Sequence, residues 1–162
     1  MEESASFEEL AVPLLGPLYR YARCLTRNAT EAEDLVQEAY LKALRGFAGF
    51  APGSNIRAWM FRILRNTFLT SRSGLRVVPL DDEEIVDIAT PESTFLQKFD
   101  AVALRSAIDE LTVEFREVLL LCDVEDMSYK EIAETLSIPI GTVNSRLIRA
   151  RQKVRVALRE RP

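Results

Sequence analysis

Met127-Ser-Tyr-Lys-Glu-Ile-Ala-Glu-Thr-Leu-Ser-Ile-Pro-Ile-Gly-Thr-Val-Asn-Ser-Arg-Leu-Ile-Arg-Ala-Arg151 reads as two helices joined by a tight turn. Ser128 with Glu131 three residues on forms a capping box, which starts the first helix. Ile132, Ala133 and Leu136 recur on one side of it. Ser137-Ile138 makes the break, and Pro139 suits the first turn of a new helix, where its missing N–H costs nothing. In that second helix Ile140, Val143, Leu147, Ala150, Val154 and Leu158 fall on one stripe. Asn144, Ser145, Ile148, Arg149, Gln152 and Arg155 fall on the other side. A long helix with a core stripe and a basic, hydrogen-bonding face fits the recognition helix of a helix-turn-helix. Arg can address guanine edges or phosphates, Asn adenine, and Ile148 a thymine methyl. The plain alternative is an amphipathic helix with a solvated basic face.

The net charge of −4 looks wrong for nucleic-acid binding until it is divided along the chain. Residues 46–76 carry five arginines and no acid, and residues 128–162 carry eight bases against three acids. Between them, residues 77–100 hold seven acids and one lysine. Local charge, not the total, governs attraction to phosphate. Two basic blocks flanking an acidic one therefore suggest two nucleic-acid surfaces.

Apolar content of 48% over 162 residues allows one domain or two small ones with real cores. No apolar run approaches the roughly 20 residues of a membrane span. The start, Met1-Glu-Glu-Ser-Ala-Ser, is acidic and lacks the basic and apolar regions of a secretory signal. Cys24 and Cys122 are far apart and histidine is absent, which argues against a zinc site or disulfide framework. The expected location is a reducing cytoplasm.

Residues 7–27 predict a first helix with Phe7, Leu10, Leu14, Leu15, Leu18, Tyr21, Ala22 and Leu25 as core. Pro13 and Pro17 require it to bend or start late. Thr30 with Glu33 predicts a second capping box, and Gly46 a helix end just past Arg45. Ala32, Leu35, Val36, Ala39 and Ala43 form the core stripe of that helix. Asp34, Gln37, Glu38, Leu41 and Arg45 lie opposite. An apolar residue ringed by charges, as Leu41 is, has the look of a docking surface. Gly46-Phe-Ala-Gly-Phe-Ala-Pro-Gly-Ser-Asn55 is a loop with unusual aromatic weight in Phe47 and Phe50. The next helix, Ile56 to Arg72, puts Ile56, Trp59, Met60, Ile63, Leu64 and Thr67 toward the core. Arg62, Arg65, Asn66 and Arg72 take another arc, with Arg57 near the start, and Phe61 and Phe68 read best as core. Arginines beside aromatics suit single-stranded DNA. Residues 74–94 show no helical period and read as an acidic linker. Thr90-Pro91 can start another helix, with Phe95, Leu96, Phe99, Val102, Ala103 and Ile108 as core. After Glu110-Leu-Thr112, Val113 to Cys122 forms a short apolar helix, with Thr112 as its cap.

Three of these stretches resemble one family. Tyr129-Lys-Glu-Ile-Ala-Glu-Thr-Leu with Pro139-Ile-Gly-Thr-Val-Asn-Ser-Arg-Leu-Ile-Arg-Ala-Arg151 is similar to the promoter −35-binding domain of extracytoplasmic-function (ECF) sigma factors of bacterial RNA polymerase. Ala32-Glu-Asp-Leu-Val-Gln-Glu-Ala-Tyr-Leu-Lys-Ala-Leu44 resembles the helix that grips the β′ clamp helices. Asn55-Ile-Arg-Ala-Trp-Met-Phe-Arg-Ile-Leu-Arg-Asn66 resembles the −10-element region. The resemblance implies an all-α chain of two small helical domains, residues 1–75 and 95–162, joined by a flexible acidic linker at 76–94. It assigns Asp34, Gln37, Glu38 and Leu41 to core-polymerase binding. Phe50, Ser54, Arg57, Trp59, Arg62, Arg65 and Asn66 are assigned to the −10 element, with the loop capturing a flipped base. Thr142, Asn144, Ser145, Arg146, Ile148, Arg149 and Gln152 are assigned to the −35 element. It further implies β′ and β subunits of core polymerase, promoter DNA and an anti-sigma factor as partners. The linker would run through the basic active-site channel of the polymerase. Thr112 stands where the family commonly has proline. Asn144 stands where relatives are often basic, which moves the guanine-reading role to Arg149.

Neither a metal site, a cofactor, a small-molecule substrate nor membrane insertion is expected. Without histidine, a glycine-rich phosphate loop or a nucleophile–base pair, no catalytic constellation is legible. Two other readings remain beside the sigma factor. One is a sigma-mimicking protein that titrates an anti-sigma factor, the other a stand-alone helix-turn-helix repressor.

Overall fold

Two prolines shape the first segment of the chain. In a computed structural model, which describes residues 6–71 and 99–159, the helix expected over 7–27 is divided in three. Helix α1, Phe7–Ala11, is closed by a capping box in which the Glu9 N–H donates to Ser6 Oγ and the Ser6 N–H to Glu9. A 3-10 turn, Val12–Leu14, accommodates Pro13. Helix α2, Leu15–Thr26, takes Pro17 in its first turn, where no intrahelical donor is lost. Leu18, Tyr21, Ala22 and Leu25 are buried as expected, but Leu15 is exposed, because it opens α2 rather than continuing a single stripe.

Arg27 ends α2 in the left-handed region, at φ 58°. That turn leaves Asn28 extended, and its side chain accepts from the Glu31 N–H at 2.9 Å. The cap of α3, Ala29–Gly46, is therefore Asn28 and not Thr30. Gly46 is the last residue of α3 with φ −90°, and the chain runs on into a 3-10 turn, Phe47–Gly49, so the glycine is no left-handed cap. Ala32, Leu35, Val36, Ala39 and Ala43 are buried against α2 and α4, Ile56–Ser71. Phe61 packs on Tyr21 with ring centroids 5.3 Å apart, and both rings are fully buried. These helices belong to a first unit, 1–76.

A second unit, 77–162, contains the remaining helices. The helix start expected at Thr90-Pro91, with Phe95 and Leu96, lies outside the described residues, as does the acidic 76–94 stretch. Helix α5, Ala101–Asp109, is capped by Asp100, which accepts from the Ala103 N–H at 3.1 Å. Val102, expected in the core, is 79% exposed. Ala107 marks the inward side of α5, and Val102 lies on the far side of the helix from it. Helix α6, Val113–Leu119, has Thr112 at its cap position with extended backbone but no capping bond from the hydroxyl. The last turn widens into a π-helical segment, Leu120–Val124.

Helix α7, Tyr129–Leu136, begins with the expected reciprocal Ser128–Glu131 box. It ends where Ser137 turns left-handed, at φ 56°. Pro139 sits just before α8, Ile140–Arg159, and its carbonyl accepts from the Thr142 and Val143 N–H groups. Val143, Leu147, Ala150 and Val154 are fully buried. Ile140, placed in that stripe by spacing, is exposed, because it precedes the packed stretch that begins at Thr142. Among the described residues there is helix but no strand, and no helix is long and apolar enough to cross a membrane.

Ser128→Ala removes a cap and should cost about 1 kcal/mol. Ser137→Gly relieves a left-handed side chain and should raise stability by up to about 1 kcal/mol. Urea-unfolding midpoints measure both; a Gly variant less stable than the parent would show that the Ser137 hydroxyl supports the turn.

Candidate polymerase and nucleic-acid interfaces

Alanines on the inner face of α3 let it lie close to its neighbours, and this leaves its other side free. Asp34, Gln37, Glu38 and Leu41 are all exposed there. Leu41 is 54% exposed, and Leu44, one turn further on, is equally open. Leu44 is the residue that reading for charge-ringed apolar positions missed; its i, i+3 relation to Leu41 is the signal that finds it. Glu38 pairs with Lys42 at 3.6 Å across one turn, an exposed pair that contributes little to stability. The face is thus two leucines within a charged surround.

The loop after α3 is held by rings. Phe47 contacts Phe7 at 5.3 Å, stacks on Phe50 at 5.8 Å and approaches Trp59 at 6.5 Å. Phe50 and Trp59 are themselves 5.0 Å apart. On the other side Phe7 meets Tyr40, whose hydroxyl donates to the Ala11 carbonyl at 2.6 Å. The loop therefore hangs from an aromatic cluster spanning α1, α3 and α4. Gly53, at φ 85°, makes the tight turn, the Ser54 N–H donates to the Ala51 carbonyl, and Asn55 caps α4 through the Ala58 N–H. Ser54 is exposed at the loop tip; Phe50 and Trp59 are half-buried in the ring cluster. Arg62 and Asn66 lie exposed one turn apart on α4, while Arg57 and Arg65 are half-buried. The structure brings all seven −10 candidates to the loop and to α4. Phe47 joins them as the hub, and its weight in the loop was visible in the sequence, though its partners were not.

The third set departs furthest from expectation. Gln152 is exposed, Ile148 and Arg149 are half-buried, and Thr142, Asn144, Ser145 and Arg146 are buried, Asn144 to 6% exposure. The sequence places Asn144 and Ser145 on an outer face. Here α8 packs against α5, α6 and α7, not against one neighbour, and every residue from Thr142 to Leu147 is buried. Ser145 bends its hydroxyl back to the Gly141 carbonyl at 2.9 Å. The Arg146 Nε is buried with no hydrogen-bond partner among the described residues.

Behind this helix lies a buried polar node. Arg151 donates from Nη2 to Asp123 Oδ1 at 2.7 Å and from Nε to Oδ2 at 3.3 Å. The Cys122 Sγ is 3.8 Å from the same Nη2. Burial, the largest influence on Arg151, pulls its pKa down, yet Asp123, with Cys122 and Tyr129 adding to it, raises the guanidinium above its ordinary value. Burial, with the Asp123 charge adding to it, pushes the Cys122 thiol up to about 11. Burial likewise raises the nearby Tyr129 phenol.

Residues 10–76 match the family model for Sigma-70 region 2, and residues 101–154 match that for Sigma-70, region 4. Over 93% of its length the chain is 35% identical to the ECF RNA polymerase sigma factor SigE of Mycolicibacterium smegmatis, of which it spans 60%. Over 91% it is 36% identical to the ECF RNA polymerase sigma factor EcfG of Rhodopseudomonas palustris, spanning 81% of that protein. Among solved structures it is similar to the sigma factor RpoE in complex with the anti-sigma factor NepR from Bartonella quintana. That likeness has a TM-score of 0.71 and 28% identity, covering 96% of this chain and 98% of that one. CnrH in complex with the cytosolic domain of CnrY follows at TM-score 0.69 and 25% identity, covering 96% and 89%.

A thiol ionising near 9.0 in the unfolded chain but only at about 11 in the fold adds stability that is full below pH 9 and lost as pH rises through 11. Cys122→Ala should flatten that alkaline loss in pH-dependent melting. In a Cys24→Ala background, iodoacetamide at pH 8 should leave native Cys122 unlabelled over a time that fully labels the unfolded chain; prompt labelling would contradict the burial.

Proposed function

The chain belongs to the ECF sigma factors of bacterial RNA polymerase, a family without enzymatic activity, and we propose that it is a dissociable promoter-specificity subunit. In this reading residues 1–75 dock on core polymerase and open the −10 element. Residues 95–162 engage the −35 element, and the acidic 76–94 segment connects them. The carrying observation is that both sigma regions occur on one chain, in order, each with its own exposed or poised basic residues.

The exposed face of Asp34, Gln37, Glu38 and Leu41 suits the β′ clamp helices, with Leu41 as the apolar anchor and the acids setting orientation. In the −10 loop, the half-open Phe50 and Trp59 rings offer a wall for an unstacked base, while Arg62 and Asn66 reach toward the strand. On α8, Arg149 and Gln152 are the residues best presented to the major groove, beside Ile148. Thr142, Asn144, Ser145 and Arg146 join them once the start of the helix is uncovered. The unsatisfied Arg146 Nε supports that, since a buried donor without a partner is costly unless a ligand supplies one. Free protein should accordingly bind promoter DNA weakly, and core enzyme should strengthen it. Control by an anti-sigma factor is supported by one solved relative, the sigma factor RpoE, whose structure is described as a complex with the anti-sigma factor NepR. A cytoplasmic site of action follows from the same partners.

Reconstituted transcription with core polymerase tests the reading. A sigma factor yields promoter-dependent transcripts; a mimic that only titrates an anti-sigma factor yields none, and a repressor binds a palindromic site without polymerase. Arg149→Ala should cost about 1–3 kcal/mol at one −35 base pair. Equal loss on every promoter variant would make it a phosphate contact instead. Leu41→Asp should weaken co-purification with core polymerase and leave the circular dichroism spectrum unchanged; undiminished co-purification would remove Leu41 from the interface.

A further inference from the structure

Resting on the sigma-factor reading, we infer that Arg151 and Asp123 are positioning residues for −35 recognition. They aim α8 from behind by an ion pair that never meets DNA. At this pair three consecutive elements of the second unit meet. Asp123 lies in the π-helical turn after α6, Arg151 in the middle of α8, and Tyr129 at the start of α7.

The side chains of Arg151 and Asp123 are 5% and 2% exposed, so the guanidinium is turned into the protein and away from any groove. Two of its donor atoms are committed to the two carboxylate oxygens, a fork-on-fork pairing that fixes both the height and the rotation of α8. A single-point contact would leave the helix able to turn. The π turn matters because it presents two consecutive side chains, Cys122 and Asp123, to the same guanidinium. Its wider spacing is visible in the Glu125 N–H donating to the Leu120 carbonyl five residues back. Arg149 stands two residues before Arg151, about 200° round the helix. Holding Arg151 inward therefore points Arg149 outward, with Ile148 and Gln152 beside it. An apolar stripe alone, of Val143, Leu147, Ala150 and Val154, tolerates small rotations that would carry Arg149 off a base edge.

A pair of this kind can be removed as a unit without unfolding, whereas removing one partner strands a buried charge. The double variant Asp123→Leu/Arg151→Met separates stability from aim. The assay is transcription by the reconstituted holoenzyme from a template library randomised across both promoter elements, read by sequencing the transcribed templates. The parent should select defined bases at both elements. The double variant should keep a melting temperature near the parent's and keep its −10 preference, while its −35 preference flattens at least tenfold. Arg151→Lys, which keeps the charge but not the fork, should fall between them.

Full −35 selectivity in a folded double variant would overturn the inference. So would a shallower salt dependence of DNA binding in the folded double variant, which lacks the Arg151 charge; that would make Arg151 a direct phosphate contact. If the double variant does not fold, Arg151→Lys decides alone: unchanged −35 selectivity overturns the inference, and reduced selectivity with intact −10 preference supports it. A parent that selects no promoter sequence at all would instead sink the sigma-factor reading, an outcome distinct from both.

Discussion

A carboxylate removed from water must be neutralised where it lies, and in the second unit Arg151 meets that demand for Asp123. The consequence reaches beyond the two side chains. Because the guanidinium comes from the middle of α8 and the carboxylate from the π turn behind α6, satisfying the charge sets the helix against its support. Tyr129 and Cys122 fill the same space, and burial keeps both protonated. The node is therefore polar in composition but unreactive, a fixture rather than a redox centre.

The first unit solves a related problem with rings. Its helices are short of large aliphatic residues on α3, where alanines permit close approach but supply little area. Tyr21 and Phe61 provide bulk as one pair, and Phe7, Tyr40, Phe47, Phe50 and Trp59 as a separate cluster. Aromatic pairs contribute through both area and edge geometry. The second cluster is half-open, and so a structural device also shapes the loop proposed to meet a base. Packing and the proposed recognition share side chains here, whereas on α3 the buried face and the proposed docking face are opposite.

Where the sequence was readable, the reason was local. The Ser128–Glu131 box, the break at Ser137, the stripe of Val143, Leu147, Ala150 and Val154, and the charged arc around Leu41 each depend on residues within a turn or two. Errors arose where a local signal had a competitor. Thr30 is a fair cap in isolation, but the left-handed Arg27 made Asn28 the residue in place. Val102 and Ile140 have core chemistry at helical spacing, yet Val102 lies across α5 from the buried Ala107 and Ile140 precedes the packed stretch of α8, so both are exposed. Asn144 and Ser145 were misplaced outward because a wheel diagram allows one neighbour and α8 has several.

From the amino acids alone came the all-α class, the two basic blocks, and the order of two motif sets that led to the family. These are properties of short segments and of composition, and they survive without coordinates. Tertiary structure alone revealed the inward Arg151, the π turn that brings Asp123 to it, the ring cluster centred on Phe47 and the burial of Thr142 to Leu147 on α8. All four join residues far apart in the chain. A side chain's partner across such a distance is chosen by how helices pack, and no periodicity within one helix contains that information.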